Sequence, residues 1–134
     1  MKEKYEIVFT NGCFDILHRG HIELLRYCSI IGNKVIVGLN SDKSIRKIKG
    51  RNRPIFSEQD RQFLLESIQY VNEVIIFDEE TPYEIIKKIR PDILVKGGDY
   101  EAHDVIGNNL CEVRIFNYVN GYSTTKAIQD IVGR

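Results

Sequence analysis

The sequence predicts a Rossmann-like, three-layer α/β fold in which helices flank a parallel sheet of about five strands. Short apolar, β-branched segments alternate along the chain with segments whose apolar residues follow a helical period. The chain has 134 residues, of which 43% are hydrophobic, and this suits one domain with a substantial core. Strands that alternate with helices imply right-handed crossovers and a parallel sheet. We expect a single domain covering residues 1–134.

The first predicted strand is Tyr5–Thr10, which is apolar and β-branched. A loop with two glycines follows at Asn11–Gly20, and His21–Ile31 has the apolar period of a helix. Lys34–Leu39 is predicted as the second strand. Asn40–Phe56 is polar, basic and glycine-containing, so we expect a long loop there.

Capping residues mark the later helices. Ser57 with Asp60 resembles a capping box and predicts a helix to about Ile68. Thr81-Pro82 predicts an N-cap with proline in the first turn, and that helix should end before Pro91. The remaining predictions are strands at Glu73–Phe77, Ile93–Lys96 and Glu112–Phe116, and a last helix that is capped by Ser123 or Thr124 and ends near Val132.

Composition excludes several classes of protein. Lys+Arg and Asp+Glu number 19 each, so no basic field for nucleic acid is expected. No window approaches the roughly 18 apolar residues of a membrane span. Met1–Tyr5 leads into a strand without a signal-peptide core, which predicts a cytoplasmic protein. Cys13, Cys28 and Cys111 are odd in number and widely spaced, which favours reduced thiols over disulfides or a zinc site.

The main motif is NGCFDILHRGH, residues 11–21, between the first strand and the first helix. Gly12 allows a tight turn close to a phosphate, and Gly20 allows a ligand to approach the helix start. His21 begins that helix, where free N–H groups and the helix dipole favour an anion. His18 and His21 are three residues apart, so both can donate to one phosphate and stabilise a five-coordinate phosphorus.

Neither histidine needs to act as a base, because a phosphate nucleophile is already anionic. Taken alone, the HxxH spacing of His18 and His21 also suits two surface histidines or half of a zinc site. A zinc site needs further ligands, and the one other histidine in the chain is His103. We expect no metal site built from the protein alone.

Three further stretches combine glycine with phosphate-binding side chains. Lys43–Pro54 contains six basic residues, which predicts a mobile phosphate clamp with Lys49 as its point charge, or else a solvated loop. Lys96–Tyr100 ends a strand with two glycines and could frame a base or ribose. At Gly121–Lys126 the hydroxyls and free N–H groups of a helix start could hold phosphates.

Together these motifs resemble the cytidylyltransferase-like nucleotidyltransferases, whose hallmark is an HxGH motif, over nearly the whole chain. The resemblance implies transfer of a nucleotidyl group from an NTP, with Mg²⁺, to a phosphorylated small molecule, and it suggests a homodimer. It implies catalytic roles for His18, His21 and Lys49. Asp15 and Arg61 are expected to contact the acceptor or to support the site. The implied nucleotide contacts are Gly12, Cys13, Phe14, Gly20, Gly97, Asp99, Tyr100, Tyr122, Ser123 and Thr124.

Two branches of the family differ in substrate. Thr10–His18, Lys49–Pro54, Glu79–Pro82 and Asp92–Tyr100 resemble the adenylyltransferase domain of bifunctional heptose enzymes, which predicts ADP-heptose formation from ATP and heptose 1-phosphate. The alternative is CDP-glycerol formation from CTP and glycerol 3-phosphate.

The glycerol-phosphate branch carries the sequence RYVDEV, to which residues 69–74 are similar, but Gln69 and Asn72 differ from it. Glu101–Cys111 is shorter than its counterpart in the heptose branch. A nucleotide-binding module without turnover and a zinc protein are the other classes that we weigh.

Overall fold

A computed structural model describes residues 4–98, 100–117 and 124–133. Its sheet is entirely parallel, with the strand order β3-β2-β1-β4-β5. This confirms the predicted fold class. The strands are β1 (Tyr5–Gly12), β2 (Gly32–Asn40), β3 (Glu73–Phe77), β4 (Ile93–Gly97) and β5 (Glu112–Phe116). The helices are α1 (Arg19–Ile31), α2 (Asp42–Lys49), α3 (Glu58–Glu66), α4 (Tyr83–Ile89) and α5 (Thr124–Val132), with a 3₁₀ turn at Ala102–Asp104.

The two faces of the sheet bury different helices. On one face, α1 and α3 pack on the strands; the buried residues there are Val8, Leu24, Leu25, Cys28, Val35, Val37, Leu39, Leu65, Val74, Ile93 and Val95, with Phe14. On the other face, α4 and the segment after the 3₁₀ turn cover Phe9, Ile36, Ile86, Leu94 and Val105. Because side chains alternate along a strand, polar residues at the strand ends also divide between these two sides.

Helix α2 corrects the predicted loop at Asn40–Phe56. Ser41 caps the helix, since its hydroxyl accepts a hydrogen bond from the Ser44 N–H at 3.1 Å. Asp42 in the first turn and Lys49 in the last turn both match the helix dipole. Ile45 is fully buried and anchors the helix. A single apolar anchor in a polar segment is too weak a pattern to predict a helix from periodicity.

Other boundaries shift by a few residues. The Ser57 cap is confirmed, because its hydroxyl accepts from the Asp60 N–H at 3.2 Å. The predicted Thr81 cap is wrong: Pro82 is the N-cap of α4, without a side-chain hydrogen bond. That helix ends before Pro91 as expected. Helix α5 begins at Thr124, within the predicted range, and Ser123 lies outside the described residues.

Two further predictions concern the state of the cysteines and the presence of membrane-spanning helices. Cys13, Cys28 and Cys111 are all free thiols. Burial raises the pKa of Cys28 to about 12, so this thiol stays protonated in the core. Within the described ranges, no helix has both the length and the apolar character needed to cross a membrane.

Candidate active site

A cavity of about 570 Å³ opens at the carboxyl ends of β1, β2 and β4, where an open parallel sheet binds its ligands. Eight of the predicted site residues line it: Gly12, Cys13, Phe14, His18, His21, Lys49, Gly97 and Tyr100. The other lining residues, to which the sequence assigned no individual role in the site, are Asn11, Asn40, Ile48, Glu80, Thr81, Pro82, Lys96 and Ile106.

The histidine pair lies at the N-terminus of α1. His18 is the N-cap, so the helix begins at Arg19 rather than at the predicted His21. The two imidazole rings stack with their centroids 3.7 Å apart. The backbone N–H of His18 donates to Nδ1 of His21 at 3.2 Å. Because Nδ1 accepts this bond, a neutral His21 carries its proton on Nε2.

Both histidines are held in the neutral form. The pKa of His21 is lowered to about 3, chiefly by burial and also by the neighbouring His18 and Lys49. Burial also lowers the pKa of His18. At neutral pH the pair therefore offers N–H donors rather than protons for transfer, which agrees with a role in stabilising charge on a phosphate.

The turn after β1 is shaped by Phe14. Phe14 is buried and has φ of 46°, a left-handed conformation that a bulky residue rarely adopts. Its ring centroid lies 5.1 Å from that of His21. A Cβ added at Gly12 would lie 3.2 Å from the Phe14 ring, so glycine gives this ring its room. Gly20 is buried in the first turn of α1 and is not among the residues that line the cavity.

Lys49 is the last residue of α2, and its exposed side chain reaches the cavity. Gly50 ends the helix with φ of 94°, which a side chain would disfavour. No other basic residue of Lys43–Pro54 is among the cavity's lining residues in the described chain. The predicted clamp is therefore reduced to one lysine that extends from the end of a helix.

Asp15 connects two loops instead of facing the cavity. Its carboxylate is 1% exposed and accepts hydrogen bonds from the Ile55 N–H at 2.8 Å and the Phe56 N–H at 2.9 Å. Arg53 Nε lies 3.5 Å from Asp15 Oδ2. Of the two roles expected for this residue, the structure gives it the one that orients the loop.

Arg61 is fully buried, and of the two roles expected for it the structure shows the one that supports the site. Its Nη1 donates to the carbonyls of Cys13 at 2.9 Å and Asn40 at 2.7 Å, and its Nε donates to the Phe56 carbonyl at 3.0 Å. Its Nη2 donates to Asp42 Oδ1 at 2.8 Å. A guanidinium held in this way supports the site by joining the loops around it.

Lys96 begins the Lys96–Tyr100 stretch that the sequence singled out, but no role of its own in the site was predicted for it. It lies at the end of β4, and its Nζ is 5.2 Å from the centroid of the Tyr100 ring. Burial lowers the pKa of Lys96, and the nearby Lys49 lowers it further, although Cys13 opposes this shift. Its place between a buried strand and a glycine pair was visible in the sequence and could have marked it.

Some predicted contacts have no structural test. Asp99, Tyr122 and Ser123 lie outside the described residues, as does the side chain of Thr124. Among the residues that the structure describes, no three His, Cys, Asp or Glu side chains are grouped to hold a metal ion.

The fold and the site define a class: a parallel α/β domain with neutral imidazole donors at a helix N-terminus and two lysines around a cavity of about 570 Å³. The family comparison gives this class a name. The chain belongs to the cytidylyltransferase-like family, whose model matches residues 9–130. This match confirms the nucleotidyltransferase class that the sequence predicts.

Similar proteins include the bifunctional protein HldE of Wolinella succinogenes, which is 51% identical over 129 residues. HldE of Helicobacter pylori strain J99 is 50% identical over 131 residues. These matches cover 96% and 97% of the chain, but the chain spans only 27% and 28% of those relatives. A crystal structure of a lipopolysaccharide core biosynthesis protein from Thermoplasma volcanium GSS1 is 27% identical with a TM-score of 0.71, covering 89% of this chain and 99% of that one.

Proposed function

We propose that this protein transfers the adenylyl group of ATP to a heptose 1-phosphate, forming ADP-heptose and pyrophosphate. The observation that carries the chemistry is the neutral histidine pair, which lies with Lys49 around one cavity. The substrate choice is supported by the resemblance to the heptose branch and by the relatives named HldE at about half identity.

In the proposed reaction, an oxygen of the acceptor phosphate attacks the α-phosphorus of ATP and forms a new P–O bond. The bond from the α-phosphorus to the oxygen that bridges to the β-phosphate breaks, and pyrophosphate leaves with its electron pair. The protein forms no covalent bond. It positions the two phosphates and stabilises the charge that develops between them.

Each site residue has one part in this reaction. His21 Nε2–H and the His18 ring donate to the oxygens of the α-phosphate as charge accumulates there. Lys49 supplies a positive charge to the phosphates from the end of α2. Ser123 and Thr124, with the free N–H groups at the start of α5, seat the departing pyrophosphate. Asp15 and Arg61 keep the surrounding loops in place.

Mg²⁺ is expected to enter with the nucleotide. The described residues contain no metal-binding group of three or more acidic, histidine or cysteine side chains, so the nucleotide's own phosphates would supply most of its oxygen ligands. When bound, the ion neutralises charge on the phosphates and on the leaving pyrophosphate.

Asn72 bears on the alternative, glycerol-3-phosphate cytidylyltransferase. Its side-chain Oδ1 accepts a hydrogen bond from the Val35 backbone N–H at 2.7 Å, and its backbone N–H donates to the Val35 carbonyl at 3.0 Å. Asn72 therefore fastens the chain to the edge of β2 and is not among the cavity's lining residues. Its difference from the glycerol-phosphate pattern concerns the fold and does not distinguish the substrates.

The deciding experiment is a matrix of ATP and CTP against heptose 1-phosphate and glycerol 3-phosphate, with pyrophosphate release as the readout. We expect the highest kcat/KM for ATP with heptose 1-phosphate, by a factor on the order of a hundred, because unmatched buried polar groups reject a wrong base strongly. A preference for CTP would refute adenylyl transfer, and turnover of glycerol 3-phosphate alone would refute the sugar. No release with any pair would support a binding module, and stoichiometric zinc after dialysis would support a zinc protein.

We also propose a cytoplasmic homodimer that needs neither a membrane nor a nucleic acid. Its support is the family resemblance and the balanced charge of the chain. Light scattering coupled to size-exclusion chromatography measures the assembly directly, and a monomer mass at micromolar concentration would contradict it.

A further inference from the structure

A side chamber of about 150 Å³ adjoins the main cavity, on the side of α4 and the 3₁₀ turn. The two spaces share Asn11, Pro82, Lys96, Tyr100 and Ile106 as wall residues. Tyr100, which also lines the main cavity, is the one wall residue of this chamber that has a predicted contact with the nucleotide. Its volume is comparable to cavities that hold a single six-membered ring.

Strand alternation places the polar wall of the chamber opposite to α1. Phe9 on β1 pairs with Leu94 on β4, and both pack towards α4. Two residues further along, Asn11 on β1 stands beside Lys96 on β4 and faces the same side. Helix α1, which carries the histidine pair, packs on the other face of the sheet. The chamber and the histidines therefore approach the strand ends from opposite sides.

We propose that the side chamber binds the sugar ring of the acceptor, with Lys96 holding the acceptor's phosphate where the chamber meets the main cavity. This inference rests on the proposed function and adds the acceptor's position to it. Asn11 and Asp104 are placed to hydrogen-bond ring hydroxyls, with Asp104 at the exposed rim. Tyr100 and Pro82 offer apolar surfaces to the C–H face of the ring.

The distribution of charge supports this assignment. Lys49 and Lys96 are the two lysines that line the cavity in the described chain. Arg61 is bonded inside the protein and is not among the lining residues. Lys96 lies beside the Tyr100 ring and forms no ion pair with a carboxylate of the described residues, so a phosphate dianion would offset the cost of its burial. An acceptor phosphate held by Lys96 on the α4 side would lie across the cavity from the histidine pair on the α1 side, so the two could meet at the α-phosphate between them.

The first test is Lys96→Met, which keeps the length of the side chain and removes its charge. We expect KM for heptose 1-phosphate to rise roughly tenfold or more, as for a lost charge-assisted bond, while KM for ATP changes by less than about twofold. The matched control is Lys88→Met on the exposed surface of α4, which should leave both constants unchanged. A rise in KM for ATP with an unchanged KM for the sugar would overturn the inference.

The second test fills the chamber itself. Ile106→Phe should raise KM for heptose 1-phosphate by about tenfold or more, because the added ring occupies the space for the sugar. Leu110→Phe is the control, since Leu110 is similarly exposed and is not a lining residue of either space. Thermal melting confirms that each variant is folded. Unchanged kinetics in folded Ile106→Phe would refute the chamber as the sugar site.

A binding measurement separates this inference from the proposed function. Calorimetry with heptose 1-phosphate and a non-hydrolysable ATP analogue should detect the sugar phosphate on the wild type and lose it on Lys96→Met. If that result appears without pyrophosphate release from ATP, the proposed reaction is wrong and the sugar site stands. If turnover occurs and neither variant affects the acceptor, the reaction stands and the sugar site is wrong.

Discussion

At the scale of the residue, the position of one proton defines what the site can do. The bond from the His18 N–H to His21 Nδ1 leaves Nε2 as the donor, and burial keeps the ring neutral. The HxGH spacing was enough to predict the pair and its position at a helix start. It could not reveal the tautomer or the burial, because both depend on how the chain packs around α1.

His21→Ala should lower kcat by roughly a hundredfold or more, a loss of about 3 kcal/mol of transition-state stabilisation. The binding of ATP should change much less, because the donor acts on charge that develops during the reaction. Steady-state kinetics and ATP titration on the same preparation measure both quantities. His103→Ala, at an exposed histidine, is the control. Normal turnover by a folded His21→Ala would remove this residue from the mechanism.

His21 also makes stability depend on pH. The pKa of His21 is about 3 in the folded protein, whereas its ordinary value of 6.5 applies to the unfolded chain. Between these two pH values the unfolded chain therefore binds one proton more than the folded protein. The contribution of His21 to the free energy of unfolding is therefore fully present above pH 6.5 and is lost as the pH falls below this value. At pH 5 the loss from this group is about 2 kcal/mol. Urea unfolding at pH 7 and pH 5 should show a smaller difference for His21→Gln than for the wild type, and equal differences would contradict the burial argument.

At the scale of the element, α2 carries the exposed charge of Lys49, while buried side chains fix the loops around this helix. The N-cap at Ser57 and the end of α4 before Pro91 were predictable, because both depend on residues that are neighbours in the sequence. Helix α2 was not, since its single anchor Ile45 is recognisable only against the sheet. Arg61 illustrates the same limit, because the sequence around an arginine early in a helix does not tell whether its side chain faces a ligand or bonds to four acceptors within the protein.

Lys49→Ala should reduce kcat/KM by tenfold or more while the fold survives, since the side chain is exposed and no core contact is lost. Lys47→Ala, which removes an exposed lysine of the same helix outside the cavity, should behave like the wild type. Kinetics alongside a thermal melt distinguish the two variants. Equal activities would show that α2 supplies no charge to the reaction.

Arg61→Ala should lower the free energy of unfolding by about 3–5 kcal/mol, because it leaves the Asp42 carboxylate, one buried carbonyl and two partly buried carbonyls without their donor. Arg61→Lys should recover little of this, since an ammonium cannot reproduce the planar fork. Arg51→Ala, on the exposed loop, is the control. Urea denaturation of the three variants gives the comparison, and a loss below 1 kcal/mol would make Arg61 dispensable to the fold.

At the scale of the whole molecule, the alternation of strands and helices predicted the parallel sheet and the edge that carries the cavity. The assignment of helices to faces could not be obtained in this way, because it follows from the strand order β3-β2-β1-β4-β5. That arrangement separates the histidines on the α1 side from Lys96 and the side chamber on the α4 side. The resemblance to the family predicted the chemistry of nucleotidyl transfer, whereas the proposed position of the acceptor sugar phosphate depends on the three-dimensional structure.

The bonds of Arg61 limit how the length of this chain can vary. One guanidinium joins the ends of β1 and β2 to the segment before α3, through Cys13, Asn40 and Phe56. An inserted or deleted residue between Phe56 and Arg61 would rotate Arg61 about the axis of α3 and carry the guanidinium away from these partners. Variation in chain length among descendants of this protein should therefore avoid that stretch and accumulate in surface connections that no single side chain ties together.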